Sequence, residues 1–248
     1  IPVATLEANP AVALFVARAK AAQPGFAFTP ENSRQIAEIC QRLDGLPLAI
    51  ELAATRIKLF SPAALLARLD QRLPFLTGGT RDAPARQQTL EAAIAWSYDL
   101  LPEAAKIGLA RLGIFWGGWT LEAAEALGQG DINVLDTLAT LVDHSLVQTT
   151  ILDNGDVRFV MLETIREFAL ARLEERGEMA VMQAQHGRYF LSLASNSEAG
   201  LQGPEQVTWM QRLNADLNNL RAAFGWSLSD QGEAEPGLRA AAALWWFW

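Results

Sequence analysis

Residues 40 to 54, CQRLDGLPLAIELAA, place a helix, a break and a second helix in one short run. Ile36, Ile39, Cys40 and Leu43 fall at i, i+3, i+4 and i+7, the single apolar stripe of a helix that buries one face. Gly45 suits the left-handed conformation that ends a helix. Pro47 suits the first turn of the next, where its missing N–H costs nothing. The segment from Pro47 to about Leu59 begins apolar almost all round, so it is expected to be central. Free backbone polar groups beside a rigid proline ring can also hold a flat ligand.

The same start signal recurs nearby. Asn9-Pro10, Thr29-Pro30 and Ser61-Pro62 each pair a capping side chain with a proline at the first helical position. The last of these opens a helix carrying Leu65, Leu66, Leu69 and Leu73. Four short helices over roughly residues 9 to 76 predict a compact bundle, assigned with its flanks to residues 1–79. Thr77 to Pro84 is rich in turn formers and poor in apolar residues, and is the expected linker and hinge.

Helices are expected next at about 86–99 and 102–113. Thr120 should cap a short one from Leu121 to Leu127, and Asp131 or Asn133 should open another bearing Leu135, Leu138, Leu141 and Val142. The period then changes to two. Ser145–Leu152 and Asp156–Met161 flank Asp153-Asn154-Gly155, and Asn-Gly is a strong hairpin signal. Val157, Phe159 and Met161 alternate onto one face, and a helix should follow from about Glu163 to Arg176. Helices followed by one hairpin wing predict a winged-helix domain over residues 80–177.

From residue 178 to 248 the pattern is helical again. Tyr189, Phe190, Trp209, Leu213, Leu217, Leu220, Phe224 and Trp226 recur at helical spacing, suggesting the first units of a solenoid of tetratricopeptide-like repeats. The fold class is therefore mainly α: a helical bundle, a winged-helix domain with one β-hairpin wing, and the start of an α-solenoid. Ile1 and the run Leu244–Trp248 read as ends cut from a longer polypeptide, with Trp245, Trp246 and Trp248 expected to pack on a further repeat.

The formal net charge of −8 argues against a polyanionic main partner. The one cysteine, Cys40, lies on the apolar stripe and should be a buried, inert thiol. No signal peptide or long apolar run appears, so a cytoplasmic protein without membrane contact is expected. His144 and His186 have no cysteine, histidine or carboxylate cluster at metal-ligand spacing and read as ordinary polar residues. No nucleophile-elbow motif occurs, and no catalytic residue is expected.

The run Gly45-Leu46-Pro47-Leu48-Ala49 resembles the GLPLA motif of NB-ARC-type signal-transduction ATPases (the STAND class). RQQTLEAAIAWSYDLLP (Arg86–Pro102), LGIFWGGWTLEAAEAL (Leu112–Leu127), LVDHSLVQ (Leu141–Gln148) and FVMLETIREFALARLEERGE (Phe159–Glu178) continue the resemblance in order. They match the bacterial branch that includes LuxR-like and AfsR-like regulators. In that family a P-loop domain precedes these parts, but GxxxxGK[ST] is absent from this sequence. The resemblance implies no cofactor for this stretch alone, and ADP or ATP with Mg²⁺ in a longer parent. Gly45, Leu46, Pro47 and Leu48 would lie on the adenine side. Met161, Leu162 and Glu163 would stand where the family has Met-His-Asp, with Arg166 or a neighbour replacing the phosphate donor that Leu162 lacks. The implied function is the regulatory, autoinhibitory part of a transcriptional-regulator ATPase, non-catalytic by itself. Its implied partners are its own upstream P-loop domain and an effector or protein bound through the C-terminal helices.

Two alternatives stand beside it. One is a helical-repeat scaffold for protein partners. The other is a DNA-reading winged helix, whose recognition segment would be Asp131–Ser145. That segment has Asp131, Asp136 and Asp143 and no lysine or arginine, and the wing offers one cation, Arg158. On this charge count no direct contact with nucleic acid is expected.

Overall fold

A computed structural model describes residues 6–69, 90–128, 132–152 and 155–248. The chain divides into two compact units. The first comprises residues 1–100 and 162–168, and the second residues 101–161 and 169–248. The expected hinge from Thr77 to Pro84, and the starts of the helices expected near 86 and at Asp131, lie outside the described residues.

The first unit is helical. It contains α1 (Pro10–Ala22), α2 (Pro30–Arg42), α3 (Pro47–Thr55), α4 (Pro62–Arg68) and α5 (Leu90–Asp99). The proline starts behave as their sequence predicts. Asn9 Oδ1 accepts from the N–H groups of Ala11 and Val12, and Ser61 Oγ from that of Ala64. The Thr29 N–H donates to Asn32 Oδ1, closing one half of a capping box. Phe15, Ile36, Ile39, Ile50 and Leu65 are fully buried, each stabilising the unit by about 1.5–3 kcal/mol. Helix α3 is shorter than expected, passing into a 3₁₀ turn at Arg56–Lys58. Cys40 is buried; its Sγ donates to the Ala11 carbonyl at 3.5 Å, and burial pushes the thiol up to about 12.

The break after α2 differs in one detail from expectation. The left-handed residue that follows the helix is Asp44 (φ 55°), with Gly45 (φ 68°) also left-handed. The Gly45 N–H donates to the Cys40 carbonyl at 3.0 Å, the closing bond of a Schellman motif.

The second unit contains α6 (Glu103–Leu112), α7 (Leu121–Leu127), α8 (Val134–Asp143), β1 (Gln148–Ile151) and β2 (Val157–Val160). Helix α9 (Glu163–Glu175) follows, contributing to this unit from Ala169 onward. Then come α10 (Met179–Ser195), α11 (Glu198–Leu201), α12 (Gln206–Ala215), α13 (Leu217–Ser227) and α14 (Ala234–Ala243). Thr120 Oγ1 caps α7 through the Ala123 N–H, and Asn133 Oδ1 caps α8 through the Asp136 N–H. The strands pair antiparallel, with Thr150 opposite Arg158 and Ile151 opposite Val157.

A third, one-residue strand completes the winged helix. Trp119 and Phe159 exchange both backbone hydrogen bonds at 2.9 Å. The Trp119 ring, 1 % exposed, stacks on Phe115 with centroids 5.1 Å apart. Gly118 (φ 108°) makes this approach possible, because a Cβ there would lie 2.8 Å from the Phe159 carbonyl oxygen.

Beyond α9, helix α10 packs against α13 and α14. The Trp226 ring lies over Gly187, where any side chain would collide with it. Trp245, Trp246 and Trp248 face solvent. Among the described residues, no helix is long and apolar enough to cross a membrane. The molecule is mainly helical, with a two-stranded sheet and a winged-helix domain.

Candidate nucleic-acid interface

Helix α8 stands where the recognition helix of a winged helix-turn-helix stands, after α6 and α7 and before the hairpin. It buries Thr137, Leu138 and Leu141 and exposes Leu135, Asp136, Ala139 and Asp143. The chain leaves it through Ser145, held left-handed (φ 57°) while the Leu146 N–H closes on the Leu141 carbonyl at 2.9 Å. His144, Ser145, Gln148, Thr149 and Thr150 follow, all exposed. This edge therefore presents hydroxyl, amide and imidazole groups, with carboxylates further back along the helix.

The wing's one cation is turned away from that surface. Val157 and Phe159 share one face of the strand, as alternation predicts, but Val157 is 47 % exposed, while Arg158 on the other face is 5 % exposed. The Arg158 guanidinium donates to Asp216 Oδ1 at 2.9 Å, to the Gly118 carbonyl at 2.9 Å and to the Ala215 carbonyl at 3.1 Å. Asp216, at the corner between α12 and α13, is itself 3 % exposed. Arg158, the one cation of the wing, is thus not available as a phosphate contact in this conformation.

Asn219 extends the cluster. Its Oδ1 accepts from the Trp116 N–H at 2.7 Å and faces His186 Nε2 at 3.2 Å, while its Nδ2 donates to the Gly118 carbonyl at 2.8 Å. His186 is not an ordinary surface residue. It is 3 % exposed, sits 4.7 Å from the Phe190 ring centroid, and burial lowers its imidazole to about 4, opposed by the Asn219 hydrogen bond. It is neutral at pH 7. Sequence pattern alone does not single out Asp216 and Asn219, although it carries a signal for them. Both are polar residues set among Leu213, Leu220 and Ala223 on one apolar helical stripe.

Beside this cluster lies an open cleft of about 620 Å³. Asp156, Val157 and Arg158 line one side, and Gln211, Arg212 and Asn214 another.

In the first unit, Gly45 and Pro47 are exposed, and Leu46 and Leu48 are half-buried. The Asp44 carboxylate beside them reaches the start of α9, accepting from the Thr164 N–H at 3.3 Å and the Thr164 hydroxyl at 3.4 Å. Leu162 and Glu163, the two residues before Thr164, are half-buried, whereas Met161 is buried within the second unit. Both oxygens of Glu163 accept from Arg166, at 2.9 and 2.7 Å, so the proposed substitute donor is already held. Among the described residues, no group of three or more histidines, cysteines or carboxylates is placed to hold a metal.

Residues 102–174 match the winged helix-turn-helix domain family. Over 244 residues the chain is 41 % identical to candidate HTH-type transcriptional regulators of Mycobacterium tuberculosis and Mycobacterium bovis, an alignment covering 96 % of this chain and 27 % of theirs. Over 188 residues it is 37 % identical to an uncharacterised protein of Mycobacterium tuberculosis, covering 73 % of this chain and 47 % of that one. The chain thus spans between about a quarter and about half of the curated relatives it matches. These likenesses overturn the expectation of no direct contact with nucleic acid. That expectation counted lysines and arginines only. Phosphates are also bound by serine, threonine and glutamine side chains and by backbone N–H groups, which a charge count omits.

Proposed function

We propose that this chain is the winged-helix and helical-repeat portion of a transcriptional regulator, and that the winged helix contacts DNA. The observation that carries this reading is the arrangement of α6, α7, α8 and the hairpin, over residues that match a winged helix-turn-helix domain. The contact edge is the run from His144 to Thr150. Its neutral donors suit phosphate oxygens and base edges, and they release few counterions. Binding is therefore modest and only weakly dependent on salt, with a log–log slope of magnitude about 2 or less. Fluorescence anisotropy of a labelled mixed-sequence duplex between low and moderate salt tests this. A His144→Ala/Gln148→Ala pair should weaken binding about tenfold. Absence of binding at the lowest salt would sink the reading.

A second reading is favoured by the Asp44–Thr164 contact. It joins the Gly45–Leu48 break to the turn that follows Leu162 and Glu163, the two segments the NB-ARC resemblance implicates in nucleotide sensing. On this reading the parent is a STAND-type switch. Residues 1–79 close over ADP or ATP held with Mg²⁺ by a P-loop domain, residues 80–177 clamp the closed state, and residues 178–248 receive an effector. Such a switch needs two packings only a few kcal/mol apart. It is tested by ADP affinity in a longer protein carrying the P-loop domain. Unchanged affinity in Pro47→Ala would remove Pro47 from the adenine side.

A further inference from the structure

We propose that Arg158 is a DNA-phosphate ligand held in reserve: the α12–α13 corner keeps it buried against Asp216, and movement of that corner delivers it to the DNA-facing edge of the wing. This rests on the DNA-contact reading above and adds the regulation of that surface.

Three observations carry it. The first is charge. The stretch 134–160 contains one lysine or arginine, and that is Arg158. A recognition helix and wing with a single cation between them gain or lose that phosphate contact according to where the side chain points.

The second is direction. Arg158 lies opposite Thr150 in the hairpin and Gln148 lies opposite Val160, so the four share one face of the sheet. Gln148 and Thr150 are exposed on that face and are part of the proposed contact edge. A released guanidinium would therefore stand beside the neutral donors, not on the opposite side of the wing.

The third is room and replaceability. The cleft of about 620 Å³ adjoins Arg158 and separates Asp156 and Val157 from Gln211, Arg212 and Asn214, giving the side chain a path outward. The partner to be exchanged is a carboxylate, and a phosphate oxygen offers the same charge-assisted hydrogen bond. Movement of the corner must carry Asp216 into water together with Arg158, because a carboxylate left buried without its partner is strongly unfavourable. The corner that holds Arg158 belongs to the helical region: Ala215 and Asp216 lie at the junction of α12 and α13. A ligand or protein that shifts this junction would raise DNA affinity without touching the wing.

The test compares the wild-type chain, Asp216→Asn and Arg158→Gln/Asp216→Asn by anisotropy with the same labelled duplex across salt concentrations, with near-UV circular dichroism confirming the fold. Asp216→Asn is expected to bind about tenfold more tightly at low salt, with a slope steeper by about 1, the value of one phosphate contact. The double variant is expected to lose both gains. A folded Asp216→Asn that binds like wild type overturns the inference and leaves the DNA reading intact, as does a gain that persists without Arg158. If neither protein binds any duplex, the DNA reading itself fails. Should Asp216→Asn not fold, hydrogen exchange of the wild type decides. Saturating duplex should accelerate exchange at residues 215–219, and unchanged or slower exchange there overturns the proposal.

Discussion

Asp44 and Arg158 each reach far along the chain to a polar partner, 120 residues away for Thr164 and 58 for Asp216. They do so under opposite conditions. Asp44 is half-buried, and its two contacts with Thr164 are long. It holds them from a left-handed backbone that costs a non-glycine residue about 1 kcal/mol or more. Arg158 is deeply buried, donates to three acceptors at 2.9–3.1 Å, and adjoins Asn219, which shares two of those acceptors and satisfies two further groups, the Trp116 N–H and His186. The first contact is a weak latch that small forces can open. The second is a connected polar network that opens as a whole or not at all, because a half-satisfied network is worse than none.

That contrast can be broken at its strong end first. Asn219→Ala strands the Trp116 N–H, removes the acceptor that faces the His186 ring nitrogen and takes one of two donors from the Gly118 carbonyl, all within the second unit. Unpaired buried groups cost about 1–3 kcal/mol each, so a loss of about 3–5 kcal/mol is expected in urea unfolding. A loss under about 1 kcal/mol would mean that the network is not cooperative.

The next effect is pH-dependent. The His186 imidazole titrates near 4 in the folded chain and near 6.5 when unfolded. Between these values the unfolded chain binds more protons, so stability present above pH 6.5 is lost as pH falls toward 4. The full window is worth on the order of 3 kcal/mol. His186→Leu should remove this part of the pH dependence, read as the difference between the two unfolding profiles. Identical profiles would refute it.

The weak end comes last. Asp44→Ala should cost about 1 kcal/mol, the usual value of a lost cap, whereas Asp44→Gly should be close to neutral because it also relieves the left-handed backbone. In an Asp44→Ala/Thr164→Ala cycle the double variant should cost little more than either single one. Strict additivity would show that the latch carries no coupling.

What the sequence reveals follows the range of each interaction. The caps at Asn9, Ser61, Thr120 and Asn133, the hairpin around Gly155, and helix α7 to its last residue are local effects written within a few positions. They were all legible. The inward turn of Arg158 was not, because strand alternation assigns it to solvent and its partner lies on a helix far along the chain. The corner residues Asp216 and Asn219 left only the trace of polarity on an apolar stripe. At the α2–α3 break the sequence pointed to Gly45, and the structure gives the helix-ending conformation to Asp44, whose carboxylate is rewarded by Thr164. Nucleic-acid contact is hidden for a related reason, since a count of formal charges ignores neutral donors.

The burial of Cys40 has a practical consequence. The chain contains no other thiol, and seven of its eight tryptophans lie in the second unit, with only Trp96 in the first. An aromatic disulfide reagent would therefore clock the opening of the first unit, while indole emission follows mostly the second. Two intrinsic probes, one chemical and one optical, can separate the melting of the two halves without adding a label.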